Sequence, residues 1–244
     1  FNGKNVVVKE LRDGKTLTKA KLQELVQEAS IQGRGHDNPH IPKIVGIYID
    51  SNKVPHVVME QVPGKDLYDS IRETAGNRDT QSRAKVALHF MSGIVKGLEA
   101  MHARGIAHLD LKTQNTMVNK NTLDTKIIDH GFGAPPALLS EDTLCGTPEY
   151  ISPEVLDPDQ KPHLGSDIYA LGTMLYEMVA GQLPEKMLNK TDIRDKMALI
   201  INGDPGDLSE DCWLEPGMDL IHDLIYACWE RDPDDRPPPK PPLP

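Results

Sequence analysis

The chain has 244 residues, 38% of them hydrophobic and 26% charged, a balance typical of a globular protein with a sizeable core. Its 27 basic and 37 acidic side chains give a net charge of −10, which argues against nonspecific binding to nucleic acid or to anionic lipid. Three widely spaced cysteines support neither a disulfide framework nor a zinc site, and no apolar run is long enough for a transmembrane segment.

The first third of the chain is predicted to be rich in strands, with a single helix. A β-branched run predicts a strand over residues 6–9, and apolar residues at helical spacing predict a helix over residues 17–32. Two more strands are predicted over residues 43–50 and 56–62. Residues 51–53 between them are typical of a hairpin turn.

The remainder of the chain is predicted to be mainly helical. Two short strands, over residues 116–118 and 125–128, interrupt the helical pattern, and a loop with little periodicity covers about residues 130–152. The helices are predicted over residues 67–72, 82–104, 167–179, 192–201 and 218–229.

This layout predicts two lobes followed by a short tail. Residues 1–62 are the small lobe and residues 63–236 the larger helical lobe, with the join near residues 61–64. Six of the eight residues in the tail, 237–244, are proline, which excludes a helix and favours an extended conformation. Such a tail fits a partner domain that binds Pro-rich ligands, and a plain extended end is the alternative.

Three polar motifs next to predicted strands carry the candidate chemistry. They are VVVK at residues 6–9, HLDLKTQN at residues 108–115 and DHG at residues 129–131. In this order and spacing they resemble the strand lysine, the catalytic loop and the metal-binding triplet of eukaryotic-type protein kinases. Taken singly, the aspartates could cap turns and the lysine could lie on an exposed edge strand.

Further motifs extend the resemblance over nearly the whole chain. Residues 59–62 resemble the gatekeeper and hinge, residues 146–154 the segment that closes the activation loop, and residues 167–172 the start of the central C-lobe helix. Residues 228–237 resemble the late C-lobe signature. The resemblance implies an α+β, bilobal kinase fold with a small strand-rich N-lobe and a larger helical C-lobe.

The resemblance also implies roles in phosphoryl transfer, which depends on positioning and charge neutralisation. Asp110 would accept or orient the proton of the substrate hydroxyl, and Lys112 would contact the γ-phosphate. Asn115 and Asp129 would ligate Mg²⁺, and Lys9 would hold the α- and β-phosphates of ATP.

Lys9 is expected to be oriented by a glutamate on the first helix. Glu28 is the predicted partner and Glu24, one turn earlier, is the second candidate, while a solvated helix face is the alternative. The resemblance further implies an adenine site, whose apolar members could instead be plain core. Its candidates are Val7 above the base, Met117 below it, the backbone of Glu60 and Val62 at its edge, and Asp66 at the ribose.

Two other features follow from the resemblance. Glu154 and Arg236 are expected to form a buried ion pair that is structural rather than catalytic. Lys112, two residues after Asp110, occurs together with Gly146 and Thr147, a combination typical of Ser/Thr rather than Tyr specificity.

The chain departs from the kinase pattern at four places. Only eight residues precede Lys9, so the Gly-rich loop is either missing from this chain or absent from the kinase, as in glycine-loop-lacking secreted kinases and pseudokinases of apicomplexan parasites. His130 replaces the Phe of the metal triplet, as a neutral filler or as an ionisable group that weakens the packing. The Pro-rich end replaces the last C-lobe helix.

The fourth departure is Leu109, which stands where many kinases have an Arg that pairs with an activation-loop phosphate. Its presence predicts activity that does not depend on phosphorylation of the candidate acceptors Ser140, Thr143 or Thr147.

The sequence therefore predicts ATP- and Mg²⁺-dependent phosphoryl transfer to Ser or Thr hydroxyls of protein substrates. The main alternative is a pseudokinase that acts as a scaffold or allosteric binding module, and a small-molecule kinase of related fold is a third reading. The first residues are not a signal peptide, and the sequence leaves the compartment unknown: cytosolic by default, or secreted if the resemblance to the parasite kinases holds.

Overall fold

The computed structural model describes residues 3, 5–9, 38–51, 54–75, 79–119, 121–141, 143–190, 192, 195–196, 199–200 and 217–239. These residues form a small strand-rich part and a larger helical part, which confirms the predicted α+β fold class. The predicted helix over residues 17–32, with Glu24 and Glu28, lies outside the described residues. So do most of the predicted helix over residues 192–201 and the tail beyond residue 239.

The small lobe contains a three-stranded antiparallel sheet whose central strand is the best buried. Its strands are β1 (Val6–Lys9), β2 (Ile44–Ile49) and β3 (Pro55–Glu60), in the order β1-β3-β2. The register places Lys9 opposite Val57. Val57 and Met59 on β3 are buried, because β3 has a neighbour on both sides and Ile44 packs against the pair.

β3 ends at Glu60 rather than at the predicted Val62, and one further hydrogen bond to the β1 side precedes the connection to the next sheet. The Gln61 amide donates to the Asn5 carbonyl at 3.3 Å, and Gly64 adopts a φ of 124°. A side chain at Gly64 would collide with the backbone of Val118, since its Cβ would lie 1.8 Å from that carbonyl oxygen. Val62 therefore belongs to the connection between the lobes.

A second antiparallel sheet lies directly after this connection. It consists of β4 (Lys65–Asp66), β5 (Thr116–Val118) and β6 (Thr125–Ile127), in that order. β6 is held against the segment that precedes β2, because the Ile127 amide donates to the His40 carbonyl at 2.9 Å. β5 and β6 agree with the sequence prediction, and candidate site residues lie at their ends.

Helices surround one large apolar core in the C-lobe. The helix α4 (Leu164–Ala180) is its centre. It is buried along nearly its whole length and contacts α2 (Thr80–His102) and α6 (Asp219–Cys228). Apolar residues on every face explain this position, because such a helix is stable only when other elements cover it. The helices are α1 (Leu67–Ala75), α2 (Thr80–His102), α3 (Pro153–Leu156), α4 (Leu164–Ala180), α5 (Glu185–Leu188) and α6 (Asp219–Cys228).

The predicted helix positions are confirmed wherever the structure describes them, and the differences lie at the ends. α2 begins two residues before the predicted start because Asp79 caps it, accepting the Ser82 amide at 2.8 Å. The predicted loop over residues 130–152 is interrupted by a 3-10 turn at Pro136–Leu138. None of the helices in the described ranges is both long and apolar enough to cross a membrane.

The predicted ion pair between Glu154 and Arg236 is confirmed. Both guanidinium nitrogens reach the carboxylate at 2.7 Å, and the two side chains are at most 1% exposed. Burial by itself would raise the pKa of Glu154, but the hydrogen bonds and the charge of Arg236 hold that pKa below its usual value. Arg236 also donates to the Gly165 carbonyl at 2.9 Å, which ties the C-terminal segment to the start of α4.

We expect replacement of Arg236 by Met to lower the free energy of unfolding by about 3–5 kcal/mol, because Glu154 would be left buried without its partner. Arg231→Met is the matched control, since Arg231 is exposed, and a change within about 0.5 kcal/mol is expected there. Urea unfolding of both variants measures the difference. Equal stability of the two variants would contradict the structural role of the ion pair.

Candidate active site

The loop that follows α2 is held by one buried carboxylate on α4. The backbone amides of His108 and Leu109 donate to the two oxygens of Asp167, each at 2.8 Å. Leu109 has a φ of 63°, a left-handed conformation that costs on the order of 1–3 kcal/mol for a residue with a side chain. The two hydrogen bonds to Asp167 stabilise this conformation and so determine the direction in which the chain continues to Asp110.

The Asp167 carboxylate also has a side-chain partner. The ring of His102 lies against it, with 2.8 Å between Nε2 and Oδ2. Burial alone would raise the pKa of Asp167, but the hydrogen bond and charge of His102 and the contacts with His108 hold the pKa below its usual value. From the sequence alone, Asp167 is recognisable only as a residue at the start of a helix. An acidic residue in the first turn of an otherwise apolar helix was the signal that could have revealed its role.

The predicted residues of the catalytic loop converge on the carboxylate of Asp110. Its Oδ2 accepts a hydrogen bond from Asn115 Nδ2 at 2.9 Å and lies 3.0 Å from Lys112 Nζ. Its Oδ1 accepts a hydrogen bond from the hydroxyl of Thr147 at 2.7 Å. Lys112 also donates to that hydroxyl, at 2.6 Å, so all four side chains form one cluster.

This cluster distinguishes Asp110 from an aspartate that merely caps a turn. Asp110 is only 8% exposed, and its oxygens bond to side chains rather than to the amides of a following turn. Both protons of the Asn115 amide are used, one toward the Asp110 carboxylate and one toward its carbonyl at 2.8 Å. The Asn115 Oδ1 is therefore the atom that could ligate a cation.

Lys9 and Asp129 meet at the other side of the site. Lys9 Nζ lies 2.6 Å from Asp129 Oδ1, and both side chains are partly exposed. Burial would raise the pKa of Asp129, but the hydrogen bond and charge of Lys9 hold it below its usual value. Asp129 has a φ of 59°, and the preceding Ile128 amide donates to the Asn115 carbonyl at 2.8 Å. The backbone thus links the two candidate metal ligands.

The structure brings together only some of the residues suggested for the adenine site. Asp66 lies opposite Met117 in the register of β4 and β5, as a shared site requires. Asp66 also accepts the Asp69 amide at 2.8 Å and so caps α1. The Glu60 side chain forms an ion pair with Lys126 on β6, and Val7 is 43% exposed on β1, so it is not plain core.

His130 packs as a neutral ring behind the site. Its ring lies edge-to-face with that of His108, with centroids 5.1 Å apart, and His108 Nδ1 accepts the Asp110 amide at 3.3 Å. Among the residues that the structure describes, neither ring nitrogen of His130 has a partner with hydrogen-bond geometry. Complete burial, together with the charges of His108 and Lys9, places the pKa of His130 well below its usual value. This supports the filler role over the ionisable alternative.

The chain is similar in sequence to known protein kinases. The family model for the protein kinase domain matches residues 1–241. The chain is 33% identical over 233 residues to serine/threonine-protein kinase ATG1c of Arabidopsis thaliana, covering 92% of this chain and 30% of that protein. It is 33% identical over 217 residues to serine/threonine-protein kinase PLK4 of Danio rerio, covering 84% of this chain and 22% of that protein.

A third relative is a probable myosin light chain kinase of Dictyostelium discoideum, 31% identical over 218 residues, which cover 87% of this chain and 64% of that protein. The chain therefore spans less than two thirds of the length of each of these relatives.

We expect Asp167→Asn to lower the free energy of unfolding by about 1–3 kcal/mol, because the new amide group would face a backbone N–H that needs an acceptor. Hydrogen exchange at the Leu109 amide should accelerate in parallel. Asp159→Asn, at an exposed position, serves as the control. Unchanged protection of the Leu109 amide in the Asp167 variant would refute the anchoring role.

Proposed function

Because the chain belongs to the protein kinase domain family, we propose that it transfers the γ-phosphoryl group of ATP to Ser or Thr hydroxyls of protein substrates, with Mg²⁺. One observation carries the proposal: the carboxylate of Asp110 is held by Lys112, Asn115 and Thr147 at 2.7–3.0 Å. The Asp110 carboxylate can accept a proton, and the Lys112 ammonium beside it supplies a fixed positive charge. Phosphoryl transfer uses both kinds of group.

Each residue of the cluster has a proposed task. Asp110 orients the acceptor hydroxyl and takes up its proton as the new P–O bond forms. Lys112 neutralises charge on the oxygens of the transferred group, because its ammonium lies next to Asp110. Thr147 keeps the carboxylate and the ammonium in a common geometry, since its hydroxyl bonds to both.

The donor set on the opposite side fits Mg²⁺ and phosphate. Asn115 Oδ1 and the Asp129 carboxylate are hard oxygen ligands of the kind Mg²⁺ prefers, and Mg²⁺ when bound supplies neutralisation of phosphate charge. Lys9 would hold the α- and β-phosphates, and its 2.6 Å separation from Asp129 supports a shared phosphate site. Glu28 is proposed to orient Lys9.

We propose that the adenine of ATP binds between Val7 and Met117. Met117 and Asp66, which are neighbours across β4 and β5, would contact the base and the ribose. Val7 would cover the base from β1, and the backbone groups of Glu60 and Val62 would bond to its edge. These residues line the junction between the proposed N-lobe, residues 1–62, and the proposed C-lobe, residues 63–236.

Activity is proposed to be independent of activation-loop phosphorylation. Leu109 packs in an apolar cluster with Cys145, Ile151 and Val155, which come from the activation segment and the helix that follows it. Burial of these side chains stabilises the segment without a phosphate. The Thr147 hydroxyl is already bonded to Asp110 and Lys112, so a phosphate there would place its negative charge against the Asp110 carboxylate.

The test is transfer from radiolabelled ATP, with Mg²⁺, to a mixed library of peptides that contain Ser or Thr. We expect transfer by the purified chain and a loss of at least about a hundredfold in Asp110→Ser, because the proton acceptor is removed. The exposed Asp159→Ser is the control. The thermal shift caused by ATP and Mg²⁺ should persist in Asp110→Ser, since the proposed nucleotide contacts lie on other residues.

Two outcomes would count against the proposal. A nucleotide-induced thermal shift without transfer would favour the pseudokinase that acts as a binding module. Neither shift nor transfer, across metals and acceptors, would favour a scaffold that works without nucleotide.

A further inference from the structure

We propose that Glu177, in the last third of α4, is a positioning residue of the phosphoryl-transfer site, because a single oxygen of its carboxylate holds two hydroxyls from two different segments. One is the hydroxyl of Thr113 in the catalytic loop, and the other is that of Tyr150 in the segment that closes the activation loop. The inference rests on the proposed kinase activity and adds to it a residue that contacts none of the proposed reacting groups.

The contacts are short and fully buried. Thr113 Oγ1 donates to Glu177 Oε2 at 2.9 Å, and the Tyr150 hydroxyl donates to the same oxygen at 2.6 Å. The exposed fractions are 0% for Thr113, 2% for Glu177 and 4% for Tyr150. A buried carboxylate is expensive to desolvate unless it accepts hydrogen bonds, and both donors come from the segments that carry the catalytic cluster.

Each donor is next to a member of the Asp110 cluster. Thr113 directly follows Lys112 and begins the 3-10 turn at Thr113–Asn115. Tyr150 is bonded through its amide to the Thr147 carbonyl at 2.9 Å. Holding both residues on one oxygen therefore determines how Lys112 and Thr147 approach each other, and Asp110 is bonded to both.

The charge of the carboxyl decides how firmly Glu177 holds the two hydroxyls. Each hydroxyl has one proton, so two bonds to Oε2 leave no proton for the 3.1 Å contact between Thr113 Oγ1 and the Tyr150 hydroxyl. A proton added to the carboxyl can lie on Oε1, and Oε2 then still accepts both bonds as a neutral carbonyl oxygen. Hydrogen bonds to an ionised carboxylate are roughly twice as strong as those to a neutral oxygen, so the ionised form positions both segments more firmly.

Burial and the neighbouring groups shift the pKa of Glu177 in opposite directions. Burial raises the pKa of Glu177, and the negative charge of Glu149 acts in the same direction. The hydrogen bonds from Tyr150 and Thr113 and the positive charge of Arg72 on α1 lower it. The balance is a raised pKa, so the folded protein binds this proton more tightly than the unfolded chain does.

The pH dependence of stability and that of activity distinguish a positioning role of Glu177 from a purely stabilising one. A raised pKa in the folded state means that Glu177 contributes stability at acid pH, and that this contribution is lost as the pH rises past the raised value. The ionised form holds the two hydroxyls more strongly, so the positioning effect increases over the same pH range in which this stability is lost. A purely structural glutamate would not show activity and stability changing in opposite directions.

The experiment measures kcat and KM for peptide phosphorylation, together with thermal unfolding, in Thr113→Val, Thr113→Ser and Tyr150→Phe. We expect Thr113→Val and Tyr150→Phe each to lower kcat about tenfold with little change in the KM for ATP, and Thr113→Ser to restore it. The double variant should lose less than the product of the two single losses, because the hydroxyls share one oxygen. Thr173→Val is the matched control: it removes a buried hydroxyl that lies on α4 itself and accepts from Trp229, and it should lower stability without lowering kcat.

Glu177→Gln provides the second measurement, because it keeps an acceptor of the same shape but cannot ionise. We expect the acid side of the kcat profile to flatten in this variant while its unfolding temperature near neutral pH stays equal or rises. An unchanged acid limb, or a parallel loss in Thr173→Val, would overturn the positioning role even if the parent protein is active. Absence of transfer by the parent protein would instead refute the proposed function, and the inference with it.

Discussion

The carboxylate of Asp167 supports the site more directly than any other group in the described structure. Its two oxygens take the amides of His108 and Leu109, and His102 lies against it on the helix side. Hydrogen bonds from these donors offset the desolvation of the buried carboxylate. The same bonds replace those that the donors would otherwise make with water. The left-handed Leu109 persists because both neighbouring amides are fixed, and Asp110 is the next residue along the chain.

α4 extends this support along its length. At its N-terminal end the buried pair of Glu154 and Arg236 bonds to the Ser166 hydroxyl and to the Gly165 carbonyl. In its last third Glu177 accepts two hydroxyls from the catalytic loop and the activation segment. A helix buried on all faces would be expected to be apolar throughout, so its acidic side chains are exceptions to the local pattern that coincide with the candidate site. Helical rise places Asp167 and Glu177 about 15 Å apart, so two separated points of one rigid element hold the chain around Asp110.

Two kinds of interaction order the activation segment, and they differ in what they depend on. Leu109 and its neighbours contribute apolar packing, which is insensitive to salt and to phosphorylation. Thr147 contributes hydrogen bonds to a carboxylate and to an ammonium, which depend on direction and on the absence of added charge. Together they support the proposal that the segment is ordered without a phosphate, as the Leu at an Arg position of many kinases predicts.

The sequence by itself determined the helices and strands with clear periodicity, because periodicity is a local property of the chain, and its resemblance to protein kinases predicted the fold class and the candidate set Asp110, Lys112, Asn115, Asp129 and Lys9. It also predicted the pair of Glu154 and Arg236 through resemblance alone. Only the tertiary structure showed the hydrogen bonds of Asp167, Glu177 and Thr113, since their partners lie about 27 to 64 residues away along the chain and hydrogen-bond geometry depends on how the elements pack. The same reason explains why Asp66, expected at the ribose, also caps α1, and why His130 could be identified as a buried neutral ring only after the elements around it were in place.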